Sequence, residues 1–164
     1  MGKITIGIDP GVHTGVAVYD CTRQSFLHIG STNIVTAQAI VQQYAEEADN
    51  DVVIILEDPR LIRRRANMTS ALRMRGVGSV MRDASMWCEW ARHMNIPLYR
   101  KGLGITAKGR QGAEMFKQLT GITRRTNSHE RDAAMIALHM SVTDHSIIKQ
   151  FANEQKNRQK KQQP

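Results

Sequence analysis

Three carboxylates in this chain stand where secondary-structure elements are predicted to begin or end. Asp9 closes an alternating apolar segment before a Pro-Gly turn, Glu57 follows a continuous apolar run, and Asp132 lies near the start of a helical segment. Carboxylate oxygens suit hard divalent cations, and two-metal hydrolysis of a phosphodiester needs carboxylates that hold cations about 4 Å apart. The pattern therefore predicts a divalent-metal phosphodiesterase site.

A histidine accompanies the third carboxylate. His129 and Asp132 are spaced i, i+3, so they share one face of a helix. His129 is predicted either to bind a metal ion or to transfer a proton. The acids also have ordinary interpretations, Asp9 as a turn former and Asp132 as a first-turn residue favoured by the helix dipole. Asp58 and Glu130, which adjoin the candidate residues, are predicted to lie outside the site.

The elements that would position these residues form an α/β pattern. Period-2 alternation and apolar runs predict five strands, at Lys3–Asp9, Thr14–Asp20, Ser25–Ser31, Val52–Leu56 and Ile96–Arg100. Helical spacing predicts helices over residues 35–48, 67–94, 112–119 and 129–148. Asn127 or Ser128 is predicted to cap the last helix. This order corresponds to a ribonuclease-H-like fold, a five-stranded mixed sheet in which an antiparallel three-strand meander adjoins two parallel strands, flanked by helices.

Composition and charge restrict the class of protein. The chain has 164 residues, 41% of them hydrophobic, which predicts one domain over residues 1–148. Residues 149–164 are basic, rich in Gln and nearly devoid of apolar residues, so a disordered tail is expected. The net charge of +8 favours a polyanionic partner, with nucleic acid before an anionic membrane surface.

The cysteines and the apolar segments bear on location. Cys21 and Cys88 are the two cysteines, and Cys88 lies in a helical apolar pattern, which favours a buried thiol over a disulfide. The sequence has no zinc-ligand spacing, signal peptide or long apolar span. These features predict a cytoplasmic protein that is not secreted, with no membrane partner and no small-molecule cofactor.

Several motifs together resemble one family. The segment from Ile6 to Gly15, the apolar strand ending in Glu57, the segment from His129 to Ala134, and Asn67–Met74 are similar to those of the RuvC-type Holliday-junction resolvases. The resemblance covers roughly residues 4–145, about the length of a whole family member.

The resemblance implies a function and a site. The implied activity is a metal-dependent endonuclease that resolves four-way DNA junctions by paired symmetric nicks. Asp9, Glu57, His129 and Asp132 map to the positions that hold two Mg²⁺ or Mn²⁺ ions, and the family accepts Asp or His at the third of these positions. The resemblance also implies a homodimer formed through the long helix 67–94.

Basic residues are predicted to hold the DNA. Arginine forks bind phosphate oxygens in pairs, and clusters of Arg and Lys follow Glu57 and the predicted fifth strand. The predicted DNA-contacting residues are Arg60, Arg63, Arg64, Arg65, Asn67, Ser70, Arg73, Lys101, Lys108 and Arg110. Arg100, Arg124 and Arg125 extend the basic surface, with a simply solvated face as the alternative for the last two. Where the family often has a stacking aromatic residue, this chain has Leu61 and Ile62, which are predicted as an apolar junction wedge.

Three alternatives stay open from sequence. A related nuclease would act on branched or flap DNA, or on RNA. A junction-binding protein without catalysis would keep the basic surfaces alone. A nucleotide-binding domain of the actin or sugar-kinase type can also contain Gly-Ile-Asp, but such kinases need a second lobe, for which 164 residues are too few.

Overall fold

The computed structural model describes residues 4–49, 51–61, 71–102 and 109–138. Its strands are β1 (Ile4–Asp9), β2 (Thr14–Asp20), β3 (Ser25–Thr32), β4 (Val52–Glu57) and β5 (Leu98–Lys101). They form one five-stranded sheet in the order β3-β2-β1-β4-β5. The β1–β2 and β2–β3 pairs are antiparallel, whereas β1–β4 and β4–β5 are parallel. The predicted ribonuclease-H-like arrangement, a meander joined to two parallel strands, is confirmed.

Four described helices flank the sheet. They are α1 (Ile34–Glu47), α2 (Ala71–His93), α3 (Gly109–Thr120) and α4 (Ser128–Ala137), with a short 3₁₀ turn at Pro59–Leu61. Helix α2 was predicted to start at residue 67 and helix α4 to end at residue 148. Both positions lie outside the described residues, as does the predicted tail. The predicted fifth strand begins too early, because the backbone N–H of Ile96 donates to Ala91 O (2.9 Å) and so belongs to the turn that closes α2. None of the described helices is long and apolar enough to cross a membrane.

Alternation along the strands divides the core into two layers. Ile6 and Ile8 of β1 pack with Ile54 and Leu56 of β4 against α1 and α2, where Trp87 is fully buried. Trp90 is partly buried on the same cluster, and its ring meets that of Trp87 edge to face, with centroids 5.4 Å apart. The opposite face of the sheet is covered by α3 and α4. Burial on both faces explains why β4 reads as an unbroken apolar run.

Both cysteines are free thiols. Cys88 was predicted as a buried thiol rather than a disulfide; it is a free thiol, half-buried beside the core on the α2 side. Its burial raises the pKa of the thiol above the ordinary value. Cys88 therefore carries no sign of an activated thiolate.

Candidate active site

The first two carboxylates lie at neighbouring strand ends on the same face of the sheet. The parallel register pairs Ile8 with Leu56, and Asp9 and Glu57 come next on their strands. Because side chains alternate along a strand, both acids point away from the α1–α2 layer and toward α4. The side chain of Asp9 is 17% exposed, and Glu57 is 7% exposed. The predicted adjacency of the two strand ends is therefore present in the structure.

Glycines allow α4 to approach this face of the sheet closely. A Cβ atom at Gly7 would overlap the backbone of Ala133 and Ala137, and one at Gly15 would overlap the carbonyl group of His129. Only glycine leaves room for a helix backbone at this separation. The stripe His129–Ala133–Ala137 thus lies directly on β1 and β2. The first turn of α4 therefore lies over the end of β1, next to Asp9.

The start of α4 is determined locally. The side chain of Asn127 accepts a hydrogen bond from the backbone of Glu130 (2.9 Å), and a Glu130 carboxylate oxygen accepts one from the backbone of Asn127 (2.7 Å). This capping box satisfies two N–H groups that the first turn would otherwise leave without partners. Of the two predicted caps, Asn127 is the one that the structure uses. Glu130 is thereby committed to the cap and to an ion pair with Arg124 (3.2 Å).

One polar contact at the site joins residues 120 positions apart. His129 Nδ1 lies 3.0 Å from Asp9 Oδ2. An ionised carboxylate only accepts hydrogen bonds, so Nδ1 is the donor, and Nε2 becomes the basic nitrogen of the ring. The side chain of His129 is 42% exposed, which leaves the imidazole open to solvent. The structure thus brings Asp9 and His129 into contact, while the metal site that they are predicted to share stays a prediction.

Asp132 lies deeper on the same helix. It is 5% exposed, and the residues one turn further along α4, Met135 and Ile136, pack on Val53 and Ile55 of β4. Along β4 the next side chain on that face is Glu57. Asp132 therefore lies on the part of α4 that extends toward the end of β4. Both acids take part in interactions with other groups of the chain.

The donor set has the chemistry of a divalent-metal site. Carboxylate oxygens with one imidazole nitrogen are ligands that Mg²⁺ or Mn²⁺ accepts, and the four candidates share one face of the sheet. Among the described residues, however, no group of three or more His, Cys, Asp or Glu side chains is gathered closely enough to hold an ion. The chemistry of the donors fits a divalent cation, and Asp9 and His129 are in direct contact.

A second histidine, which sequence reasoning did not select, lies beside this pair. The ring of His13 is 5.9 Å from that of His129, centroid to centroid. His13 is exposed in the turn between β1 and β2, two residues after Gly11, whose φ of 159° the turn requires. Its position soon after Asp9 in the same turn was the available sequence signal.

Asp58 is the other residue that sequence reasoning set aside. It is fully buried, and its carboxylate accepts from Arg60 Nε (2.8 Å), Nη2 (2.7 Å) and backbone N (3.0 Å). Arg100 Nη1 lies 3.5 Å from it, and Arg60 Nη1 donates to Ser85 Oγ of α2 (3.1 Å). The residue after Glu57 is thus tied to β5 and to α2. Asp58 lies outside the acidic group, as predicted, but it clamps the end of β4.

We expect Asp58→Asn to lower the free energy of unfolding by about 2 kcal/mol at pH 7, because the buried carboxylate that accepts from Arg60 loses its charge. The hydrogen bond from Arg60 holds the pKa of Asp58 below its ordinary value. The stabilisation is therefore complete above about pH 4 and disappears as the pH falls through the lowered pKa. Urea unfolding at several pH values measures this difference. Asp51→Asn, at an exposed aspartate, is the control, and a gap between Asp58→Asn and wild type that persists unchanged in acid would contradict the assignment.

The predicted DNA-contacting residues are only partly within the described structure. Arg60 is held by Asp58, the side chain of Leu61 is exposed, and Lys101 pairs in register with Glu57. The other predicted contact and wedge residues lie outside the described backbone or side chains: Ile62, Arg63, Arg64, Arg65, Asn67, Ser70, Arg73, Lys108 and Arg110. Arg124 has a structural role, since its Nη2 donates to Ile29 O of the edge strand β3 (2.8 Å).

The chain has a distant likeness to a solved structure. The crystal structure of Fowlpox virus resolvase with its substrate Holliday junction DNA is similar over 90% of this chain and 97% of that chain, with a TM-score of 0.41 and 12% sequence identity. No protein-family model and no curated protein matches the chain.

Proposed function

We propose that this chain is a metal-dependent, structure-specific endonuclease that resolves four-way DNA junctions by paired nicks. The observation that carries the proposal is the contact of Asp9 with His129 at the end of β1. Glu57 and Asp132 lie on the same face of the sheet, so three carboxylates and one imidazole share one end of the domain. Such a set suits phosphodiester hydrolysis, and the net charge of +8 suits a nucleic-acid substrate.

Four residues would hold two Mg²⁺ or Mn²⁺ ions: Asp9, Glu57, His129 and Asp132. Bound ions of this type polarise a phosphoryl oxygen and lower the pKa of a coordinated water. The chain itself supplies negative charge at the strand ends and an oriented imidazole. Asp9 fixes the tautomer of His129 by accepting from Nδ1, which leaves Nε2 to bind metal or accept a proton.

The proposal includes a homodimer. Two cuts related by symmetry need two sites related by a two-fold axis. We place the dimer contact on the long helix, predicted as 67–94 and described as α2 from residue 71 to 93. In the single chain, a Cβ at Gly76 or Gly78 of α2 would meet open space and Met86 is 43% exposed, so positions on this helix are accessible to a second copy.

A junction-binding protein without catalysis is the second candidate. One observation favours it: across residues 4–49, 51–61, 71–102 and 109–138, no three ligand side chains are gathered as a metal centre. The basic surface would still bind phosphates in that case. The two candidates differ in whether the acidic residues bind an ion at all.

Cleavage of a labelled synthetic four-way junction tests the proposal. The junction is incubated beside matched linear duplex, flap and RNA–DNA hybrid, with and without Mg²⁺ or Mn²⁺. We expect paired, ligatable nicks in the junction alone, and only with metal. Cutting of flaps or of the RNA–DNA hybrid would instead indicate a nuclease with a broader range of branched DNA or RNA substrates. Tight junction binding without cleavage in either metal would establish the non-catalytic candidate.

A further inference from the structure

A groove of about 710 Å³ lies at the β5 edge of the sheet, on the side of α2. It runs between the 3₁₀ turn Pro59–Leu61, the second half of α2, and β5. Its polar and apolar lining includes Arg60, Ser85, Cys88, Arg92, Leu98 and Arg100. Leu98 and Arg100 pair with Ile54 and Leu56, whose side chains face α1 and α2. The groove is therefore on the opposite face of the sheet from Asp9 and α4.

The groove is positively charged at its surface. Three arginines line it, against one carboxylate, Glu89. The counter-charge of Asp58 is fully buried beneath Arg60 and Arg100 and is already used by both guanidinium groups. Arg92 is exposed and has no ion pair with any residue in the described part of the chain. The accessible groups of the groove thus carry an excess of positive charge.

Two of the three arginines, Arg60 and Arg100, are held in place before any ligand arrives. Asp58 engages one edge of the Arg60 guanidinium through Nε and Nη2, and Ser85 engages Nη1. The side chain of Arg100 is 49% exposed, and its Nη1 lies 3.5 Å from the same carboxylate. A guanidinium fixed on one edge loses less side-chain entropy when its remaining N–H groups bind an anion. Planar forks of this kind match phosphate oxygens.

We propose that this groove binds the phosphate backbone of a nucleic-acid strand, as a second contact surface separate from the acidic site. The choice of a junction arm as the ligand rests on the proposed function. Arg60 follows Glu57 by three residues, and Arg100 precedes Lys101, the register partner of Glu57. One end of the groove therefore adjoins the ends of β4 and β5, next to Glu57. Its volume falls within the range of about 300–1,000 Å³ typical of ligand sites, enough for a short stretch of sugar and phosphate.

The geometry suits a branched substrate. A strand at the acidic residues and a strand in the groove would lie on opposite faces of the sheet edge formed by β4 and β5. A branched nucleic acid presents a second arm to such a surface, whereas one straight duplex does not turn around the edge. The groove would thus distinguish branched from linear DNA through backbone contacts, without reading bases.

The test is salt-dependent binding by the full chain in the absence of metal. The variant is Arg92→Gln with Arg100→Gln, and the probes are a fluorescent four-way junction and a matched linear duplex. The control, Arg23→Gln with Lys117→Gln, removes the same charge from exposed positions on the β2–β3 turn and α3. For the junction we expect the slope of log affinity against log salt to fall by about two and the affinity to fall about tenfold at low salt. We expect a smaller loss for the duplex, and little change in the control.

Two further measurements keep the outcome decisive. Arg92→Gln alone leaves the Asp58 cluster untouched, so its melting temperature should equal that of wild type and its slope should fall by about one. A groove variant that binds the junction like the control would overturn the proposal. A change in molecular mass by sedimentation, without a change in slope, would make the groove a contact between copies and would also overturn it.

This assay contains no cleavage readout, so the two proposals fail separately. Absence of junction cleavage with metal would contradict the nuclease proposal. A change in the salt dependence of binding by the groove variant would still support the groove proposal. Conversely, normal junction cleavage by wild type, together with an unchanged salt dependence of binding in the groove variant, would support the nuclease proposal and contradict the groove proposal.

Discussion

Asp9→Asn is expected to abolish junction cleavage, by on the order of 10³-fold or more, while junction affinity stays nearly unchanged. The substitution keeps the shape of the side chain and an oxygen that accepts from His129 Nδ1, so the contact at 3.0 Å has a replacement. It removes the negative charge that would hold a cation and orient the imidazole. Single-turnover cleavage at saturating protein, compared with equilibrium binding of the same labelled junction, separates the two effects.

The control for this variant is Asp51→Asn. Asp51 is exposed and precedes β4, and its carbonyl accepts from the backbone of Ile4, so it lies at the opposite end of the sheet from Asp9. Cleavage by Asp51→Asn should match wild type. Loss of junction binding in Asp9→Asn would count against a purely catalytic role for the carboxylate, and residual cleavage above about a tenth of wild type would remove Asp9 from the metal site.

Gly7→Ala is expected to lower the free energy of unfolding by about 3 kcal/mol, near the upper end of overpacking costs. The added methyl group would overlap the backbone of Ala133 and Ala137, which is unable to rotate away as a side chain does. Relief requires α4 to move off β1, and His129 is carried on that helix. We therefore expect cleavage to fall along with stability, measured by urea unfolding and by cleavage at a temperature where the variant is folded.

Gly30→Ala is the matched control in the same sheet. A Cβ at Gly30 would meet only the imidazole end of His28, a side chain and not a backbone, so the expected loss of stability is under about 1 kcal/mol. Equal stability of Gly7→Ala and wild type would mean that α4 does not lie on β1 as closely as described. Full cleavage by a destabilised Gly7→Ala variant would separate the packing of α4 from the chemistry at Asp9.

Much of the fold was accessible from local patterns in the sequence. The alternation of Ile4, Ile6 and Ile8 marked a strand and also determined that Asp9 points to the other face. The unbroken run Val52–Leu56 marked a strand buried on both sides, because hydrophobic periodicity records which faces lose water. Asn127 could be expected as a helix cap, since capping involves groups only three residues apart.

Tertiary structure alone decided which distant groups meet. Asp58 was set aside by sequence reasoning, although it also contacts Arg100, 42 residues away. Arg124 looked like a surface cation, although it donates to Ile29 O, 95 residues away. Such contacts depend on how helices and sheet pack, which side-chain periodicity does not encode. Local sequence patterns were enough to place Asp9 and Glu57 at strand ends and Asp132 near a helix start. The close approach of α4 over Gly7 brought His129 to Asp9, because only the folded chain places one helix backbone against that strand.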